Sequence, residues 1–159
     1  MFSDMRFTAG RFLLLAGALG GLLPILAPAQ SPAPTLDYEF FKTKVQPIFI
    51  AQRSPAHARC YACHEASSHD GLFKLATLSP GATNWNEAQT RENFEMASRI
   101  VAPGNPMASV LLVHPLAPEK GGDADRLHSG GRQFASQDDP DWKIMEEWVM
   151  GKKAGGGSH

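Results

Sequence analysis

Cys60-Tyr61-Ala62-Cys63-His64 is the stretch of this chain that says most about its fold. A C-x-x-C pair followed directly by histidine is the attachment pattern of c-type haem. Residues three apart on a helical turn are neighbours, so each cysteine sulfur can form a thioether with one of the two vinyl groups of a porphyrin. The histidine is then placed to ligate the iron. The chain has two cysteines in all, and this motif uses both.

Other uses of two cysteines at this spacing fit the sequence less well. A structural zinc site usually takes four Cys or His ligands in two spaced pairs, and there is no second cysteine pair. A thioredoxin-type pair is expected beside a βαβ pattern, and a disulfide across so short a loop contributes little stability. The sequence therefore predicts one covalently bound haem c, attached through Cys60 and Cys63, with His64 as the proximal iron ligand.

Residues 1–29 have the pattern of a secretory signal peptide. Arg6 and Arg11 provide a basic start, an apolar run follows, and Ala27-Pro28-Ala29 is a small-x-small cleavage pattern. A retained membrane anchor is the alternative, but Pro24 and several glycines interrupt the roughly 20 apolar residues that a spanning helix needs. Because haem c is attached outside the bacterial cytoplasm, the leader and the cysteine motif agree. We expect a periplasmic protein, with membrane association left open.

The rest of the chain has the size of one small domain. Residues 30–159 carry 13 basic and 15 acidic side chains, a formal charge of −2, and show no basic patch that would indicate nucleic acid. We expect a Pro-rich linker over 30–36, a mainly α-helical domain with long loops over 37–150, and a flexible Gly- and Lys-rich tail over 151–159.

The first and last helices are predicted from their apolar spacing. Residues 38–49 repeat apolar side chains every three or four positions, with Asp37 or Thr35 as the N-cap and Pro47 as a kink or break. The last helix is expected to start at Pro140 after a cap at Asp138 or Asp139. Its apolar face comprises Trp142, Met145, Trp148 and Val149.

Two further helices are predicted between them. Asn84 is expected to cap a helix from Trp85 to about Val101, with Ala88, Phe94, Ala97 and Ile100 facing inward. Asn105 is expected to cap a short helix that begins at Pro106 and ends at Pro115. Its predicted apolar residues are Met107, Val110, Leu111 and Val113.

These features together resemble small class I-like cytochromes c, and most closely the planctomycete- and acidobacterial-type cytochrome c domain. Besides the cysteine motif, the resemblance rests on residues 101–111, which match the pattern V-x-P-G-x-P-x-x-S-x-L. It covers about residues 37–149. The resemblance implies a helical domain wrapped around one haem, whose distal ligand is a methionine in a loop before the last helix.

The chain departs from that pattern at the distal ligand. No methionine occurs between Met107 and Met145, and His128 stands where the methionine is expected. We therefore expect His128 as the sixth ligand, which makes the iron bis-histidine. Met107, His114 or an open sixth position are the alternatives. Arg132 is a candidate partner for a haem propionate. Candidate haem-wall residues are Tyr61, Phe73, Leu75, Leu111, Leu112 and Phe134.

These expectations favour a monohaem electron carrier and not an enzyme, since two strong ligands leave no vacancy at the iron for oxygen or peroxide. The expected partners are redox proteins, among them a membrane-bound respiratory or photosynthetic complex. The alternative function is that of a haem-bearing structural or sensor subunit in a larger membrane-associated redox complex. Oligomeric state does not follow from the sequence.

Overall fold

The computed structural model describes residues 32–52, 60–67 and 71–156. The expected signal peptide at 1–29 and the last three residues of the tail lie outside these ranges. Regular structure in the described ranges is helical, with two isolated β-bridges and no extended strand, so the prediction of a mainly α fold is confirmed. No helix found there is both long and apolar enough to cross a membrane.

The N-terminal helix consists of three consecutive segments, α-helical Tyr38–Phe40, π-helical Phe41–Val45 and α-helical Gln46–Ile50. Asp37 caps it, since its side chain accepts a hydrogen bond from the backbone N–H of Phe40 at 2.7 Å. The disruption expected at Pro47 takes the form of the π-helical turn before it. Proline lacks an N–H and crowds the carbonyl four residues earlier, and a wider turn accommodates both effects.

The CYACH helix, Cys60–His64, is a single short turn. It runs into a parallel bridge between Glu65 and Leu75. There the Leu75 N–H donates to the His64 carbonyl at 2.6 Å, and the Ala66 N–H donates to the Leu75 carbonyl at 2.8 Å. The strand-like 73–78 segment therefore lies directly against the end of the CYACH helix.

The central helix, Glu87–Ser98, begins later and ends earlier than predicted. Asn86 and not Asn84 is the cap, because Asn86 forms a capping box with Gln89, three residues further on. Trp85 lies outside the helix and donates its indole N–H to the Ala76 carbonyl at 2.6 Å. Ala88, predicted to face inward, is exposed. The buried residues of this helix are Thr90, Asn93 and Ala97.

The helix predicted over 106–115 is divided into a 3₁₀ turn, Pro106–Ala108, and a short α-helix, Val110–Val113. Asn105 caps the first piece as predicted, accepting from the Ala108 N–H at 3.2 Å. Ser109 lies between the two pieces in an extended conformation. Because of this break, Met107 and Val110 are exposed, while Leu111 and Leu112 are buried.

The C-terminal helix, Pro140–Val149, starts after a cap at Asp139 as predicted. Its four predicted core residues, Trp142, Met145, Trp148 and Val149, are buried. The Trp148 ring lies 5.2 Å from that of Phe41, between ring centroids, and its indole donates to the Asp37 carbonyl at 3.0 Å. The first and last helices therefore share one core. Just beyond it, Lys153 donates to the Thr35 carbonyl at 3.1 Å.

Candidate functional site

A cavity with mainly apolar walls lies between the CYACH helix, the N-terminal and C-terminal helices, and the loop over 117–134 that follows the short helix. Its walls combine apolar side chains from every part of the domain with three histidines and one glutamine. The lining residues are Phe49, Cys60, His64, Phe73, Ile100, Val110, Leu111, His114, Pro115, His128, Gln133, Phe134 and Met145. The cavity is thus lined by the first and last residues of the cysteine motif, Cys60 and His64, and by the predicted distal histidine, His128.

His64 is held by the segment that follows its own helix. Its Nδ1 lies 2.9 Å from the Phe73 carbonyl oxygen. A carbonyl oxygen only accepts hydrogen bonds, so Nδ1 carries the proton and the lone pair of the neutral ring is at Nε2. A hydrogen bond from the second ring nitrogen to a backbone carbonyl is the usual arrangement of a metal-ligating histidine.

His128, in the loop over 117–134, has the same kind of hydrogen bond. Its Nδ1 lies 2.5 Å from the Gly131 carbonyl oxygen, which places its lone pair at Nε2 as well. The centroids of the His64 and His128 rings are 6.1 Å apart. Two imidazoles that bind one metal from opposite sides, through nitrogens at about 2 Å, have their ring centroids about 6 Å apart. The spacing of these two rings therefore fits a shared iron.

The cysteines lie beside this histidine pair. Cys60 and Cys63 are not joined by a disulfide, and Cys60 lines the cavity. A Cβ placed on Gly130 would lie 3.5 Å from Cys63 Sγ and 3.6 Å from His128 Cε1. The turn that carries His128 therefore passes within contact distance of the CYACH helix.

The 73–78 segment ties the CYACH helix to the rest of the domain. The Leu78 N–H donates to the Tyr61 hydroxyl at 2.9 Å, and the Thr77 hydroxyl donates to the Glu65 carboxylate at 2.7 Å. The bond from Thr77, with a second from Ser67, holds the pKa of the Glu65 carboxyl below its usual range. These bonds hold the CYACH helix, and with it His64, next to the Phe73 carbonyl.

The alternative distal ligands differ in position. His114 lines the cavity, with its ring centroid 5.1 Å from that of His128 and its Nδ1 3.6 Å from the Asp123 carboxylate. Met107 is exposed and is not among the lining residues. Met145, assigned from the sequence to the core, is buried and also contributes to the wall. Of these four residues, all in the described ranges, His128 alone combines a ring near that of His64 with a carbonyl-bound Nδ1.

The other predicted site residues divide into two groups. Phe73, Leu111 and Phe134 line the cavity. Leu75 and Leu112 belong instead to the buried core, and Tyr61 packs edge-on against Trp85 with ring centroids 5.4 Å apart. These last three are not among the lining residues.

Arg132, the candidate propionate partner, forms hydrogen bonds with backbone carbonyls. Its guanidinium donates to the backbone carbonyls of His114, of Asp123 at 2.5 Å and of Arg126 at 2.9 Å. It does not line the cavity. In this position it holds the loop over 117–134 to the end of the short helix.

Gln133 is the polar wall residue that the sequence did not indicate. It is buried, and its amide donates to the carbonyls of Gly130 at 3.1 Å and Gly131 at 3.4 Å. A single glutamine in a Gly-rich loop carries no sequence signal of this kind. The one available indication was its position in the sequence between Arg132 and Phe134, both of which are candidate site residues.

Comparison of the chain with protein-family models, with curated proteins and with solved structures gives no match in any of the three. The site therefore has to be judged on its own geometry. Within the described ranges, no group of three or more His, Cys, Asp or Glu side chains is arranged to hold a metal ion. Two imidazoles suffice when a porphyrin supplies the other donors, so the paired histidines, the two thiols and the apolar walls fit a haem.

Proposed function

We propose that this chain is a monohaem c-type cytochrome that transfers electrons outside the cytoplasm. The observation that carries the proposal is the His64 and His128 pair, with ring centroids 6.1 Å apart and each Nδ1 on a backbone carbonyl, next to the thiols of a C-x-x-C-H motif. Cys60 and Cys63 would hold the haem as thioethers, and the two histidines would ligate its iron. When bound, the haem supplies a one-electron couple between ferric and ferrous iron.

The residues around the pair favour simple electron transfer over catalysis. Backbone carbonyls orient both imidazoles, and with both bound to the iron neither ligand position would be open to a substrate. Apolar side chains such as Phe49, Phe73 and Leu111 line the cavity and limit the entry of water. A fixed ligand set in a dry cavity requires little rearrangement when the charge changes.

The ligand pair also determines the direction in which the reduction potential is shifted. Two neutral imidazoles stabilise the ferric state more than a histidine and a thioether do, which lowers the potential relative to a Met/His pair. The apolar walls act in the opposite direction, because burial disfavours the more highly charged ferric form.

The alternative, a haem-bearing subunit of a larger redox complex, is favoured by one observation. Leu72 and Leu127 are 85% and 88% exposed, and they immediately precede Phe73 and His128. A subunit contact at these positions would bury two large apolar side chains next to the site. Rapid electron exchange between the isolated protein and a soluble acceptor would favour the carrier. Activity that appears only after co-purification with a membrane complex would favour the subunit.

Visible and near-infrared spectra of the purified protein test the proposal. We expect haem that stays attached after denaturation and a low-spin ferric spectrum without a sulfur-to-iron charge-transfer band. His128→Ala is expected to convert the ferric iron to high spin, whereas His114→Ala, a matched change in the same cavity, leaves it low spin. A sulfur-to-iron band would assign methionine instead. The reverse pattern for the two variants would assign His114.

A further inference from the structure

Gln133 lies directly behind the distal histidine. Its side-chain amide donates to two consecutive carbonyls, those of Gly130 at 3.1 Å and Gly131 at 3.4 Å. The Gly131 carbonyl is also the acceptor for His128 Nδ1 at 2.5 Å. A single carbonyl oxygen therefore joins the glutamine amide to the imidazole.

The orientation of this amide is fixed by its partners. Turning it over would place Oε1 against two carbonyl oxygens, which cannot donate, so Nε2 must face the turn. Oε1 then points away from the turn. Both hydrogen bonds of this amide go to the turn after His128, so what the glutamine adds over a leucine of similar size is a connection to that turn.

The turn that Gln133 holds needs such support. Gly131 has φ +78°, a left-handed conformation that favours glycine, and its N–H donates to the His128 carbonyl at 2.9 Å. Two glycines in succession leave the turn little stiffness of its own. Gln133 is anchored independently, since its backbone N–H donates to the Pro115 carbonyl at 2.8 Å. Its side chain thus connects an anchored stretch of backbone to the Gly130–Gly131 turn.

We propose that Gln133 is the positioning residue of the distal side, holding the Gly130–Gly131 turn so that the Gly131 carbonyl keeps His128 in its ligating orientation. The inference rests on the proposed function, because it assumes that His128 ligates the iron. Without the amide, the turn opens more often and His128 leaves the iron more often. An external ligand that needs the vacated position then binds faster.

Carbon monoxide binding to the reduced, haem-loaded protein measures this opening. We expect Gln133→Leu to bind carbon monoxide about tenfold faster than the unaltered protein, in line with the usual effect of removing a group that orients a metal ligand. Gln133→Glu keeps the size of the side chain, and its ionised carboxylate cannot donate to carbonyls, so at a pH high enough to ionise it this variant should also bind faster. If the ionised variant binds as slowly as the unaltered protein, the shape of the side chain and not its amide is what matters, and the proposal is wrong.

Gln46 provides a matched control. It is a second buried glutamine, 7% exposed against 6% for Gln133, and its amide donates to the Thr90 hydroxyl at 3.1 Å, in the core between the N-terminal and central helices. Gln46→Leu should leave the rate of carbon monoxide binding unchanged. Equal acceleration in Gln46→Leu and Gln133→Leu would show a general loosening of the domain and overturn the specific role.

The neighbouring histidine requires one more comparison. The His114 ring is 5.1 Å from that of His128, so His114 could replace a displaced His128 and mask the effect. The same measurement with His114→Leu present in every variant removes that route. An unaltered protein that carries no covalently attached haem would refute the proposed function itself, and a haem protein without a bis-histidine spectrum would refute His128 as the ligand. A bis-histidine protein in which Gln133→Leu changes nothing, with or without His114, would refute only the role of Gln133.

Discussion

Asn93 is the side chain whose removal should most clearly disturb the proximal side of the site. It is fully buried in the central helix. Its Oδ1 accepts from the Ala76 N–H at 2.7 Å, and its Nδ2 donates to Gln46 Oε1 at 3.3 Å. Asn93→Ala leaves the half-buried Ala76 N–H and the buried Gln46 Oε1 unpaired, at about 1–3 kcal/mol each. Since the second bond is long, we expect the free energy of unfolding to fall by about 2–4 kcal/mol in total.

Guanidinium unfolding of the haem-loaded protein, followed by tryptophan fluorescence, would measure this loss. Asn84→Ala is the control, because Asn84 is exposed and its amide lies 3.4 Å from the Thr83 hydroxyl, at the limit of a hydrogen bond. That change should stay within about 0.5 kcal/mol. An Asn93→Ala loss below about 1 kcal/mol would refute the reasoning, because it would mean that the stranded groups find water or new partners.

The same variant connects stability to the site. Ala76 belongs to the 73–78 segment, whose Phe73 carbonyl accepts from His64. Loss of the Asn93 bond should let this segment open more often, and hydrogen exchange at the Leu75 and Ala66 amides should report it, since both amides bond across the bridge. Unchanged protection at these amides would show that Asn93 does not support the 73–78 segment, whose Phe73 carbonyl accepts from His64.

Three further predictions concern other parts of the domain. Arg132→Lys keeps the charge but loses the guanidinium fork, so hydrogen exchange in the loop over 117–134 should rise; a variant that alters only the reduction potential would favour a propionate partner instead. Asn86→Ala removes the capping box of the central helix and should cost about 1 kcal/mol in denaturant unfolding. Hydrogen bonds from Lys42 and Tyr38 hold the pKa of Glu87 below its ordinary value of 4.5, so its contribution to stability is present above that pH and is lost as the pH falls through the lower folded-state value. Glu87→Gln should therefore weaken the acid dependence of unfolding, and an identical pH profile would contradict this.

The elements with strong local signals were predictable from the sequence. The face of the C-terminal helix follows from the spacing of its tryptophans, and Asp139 before Pro140 is a local cap signal that the structure retains. The start of the central helix was not predictable with the same confidence, because two asparagines stand close together. Gln89 at the third position decides in favour of Asn86.

Gln46 shows a different limit. A regular α-helix places residues five apart about 140° from each other around the axis, so the α period puts Gln46 well away from Phe41. The π-helical turn brings the two into line, and the Gln46 N–H donates to the Phe41 carbonyl. The sequence shows neither the π-helical turn nor the buried hydrogen bonds of Gln46 with Thr90 and Asn93. The burial of Gln46 could therefore not be predicted. For the same reason Gln133 and Arg132 could not be placed, because their partners are backbone carbonyls of a folded loop.

The π-helical turn has a consequence for how this chain tolerates changes in length. It holds one residue more than an α-helical turn would, so deleting any one residue from Phe41–Val45 would permit continuous α geometry. The two ends of the helix would face nearly the same way as before, because Phe41 and Gln46 would then be four residues apart, about 40° from each other in an α-helix. Phe40 and Phe49 are both buried and could both stay so. Deleting the exposed Thr43 should therefore disturb the core far less than the same deletion in a regular α-helix, where the ends would rotate by about 100° relative to each other.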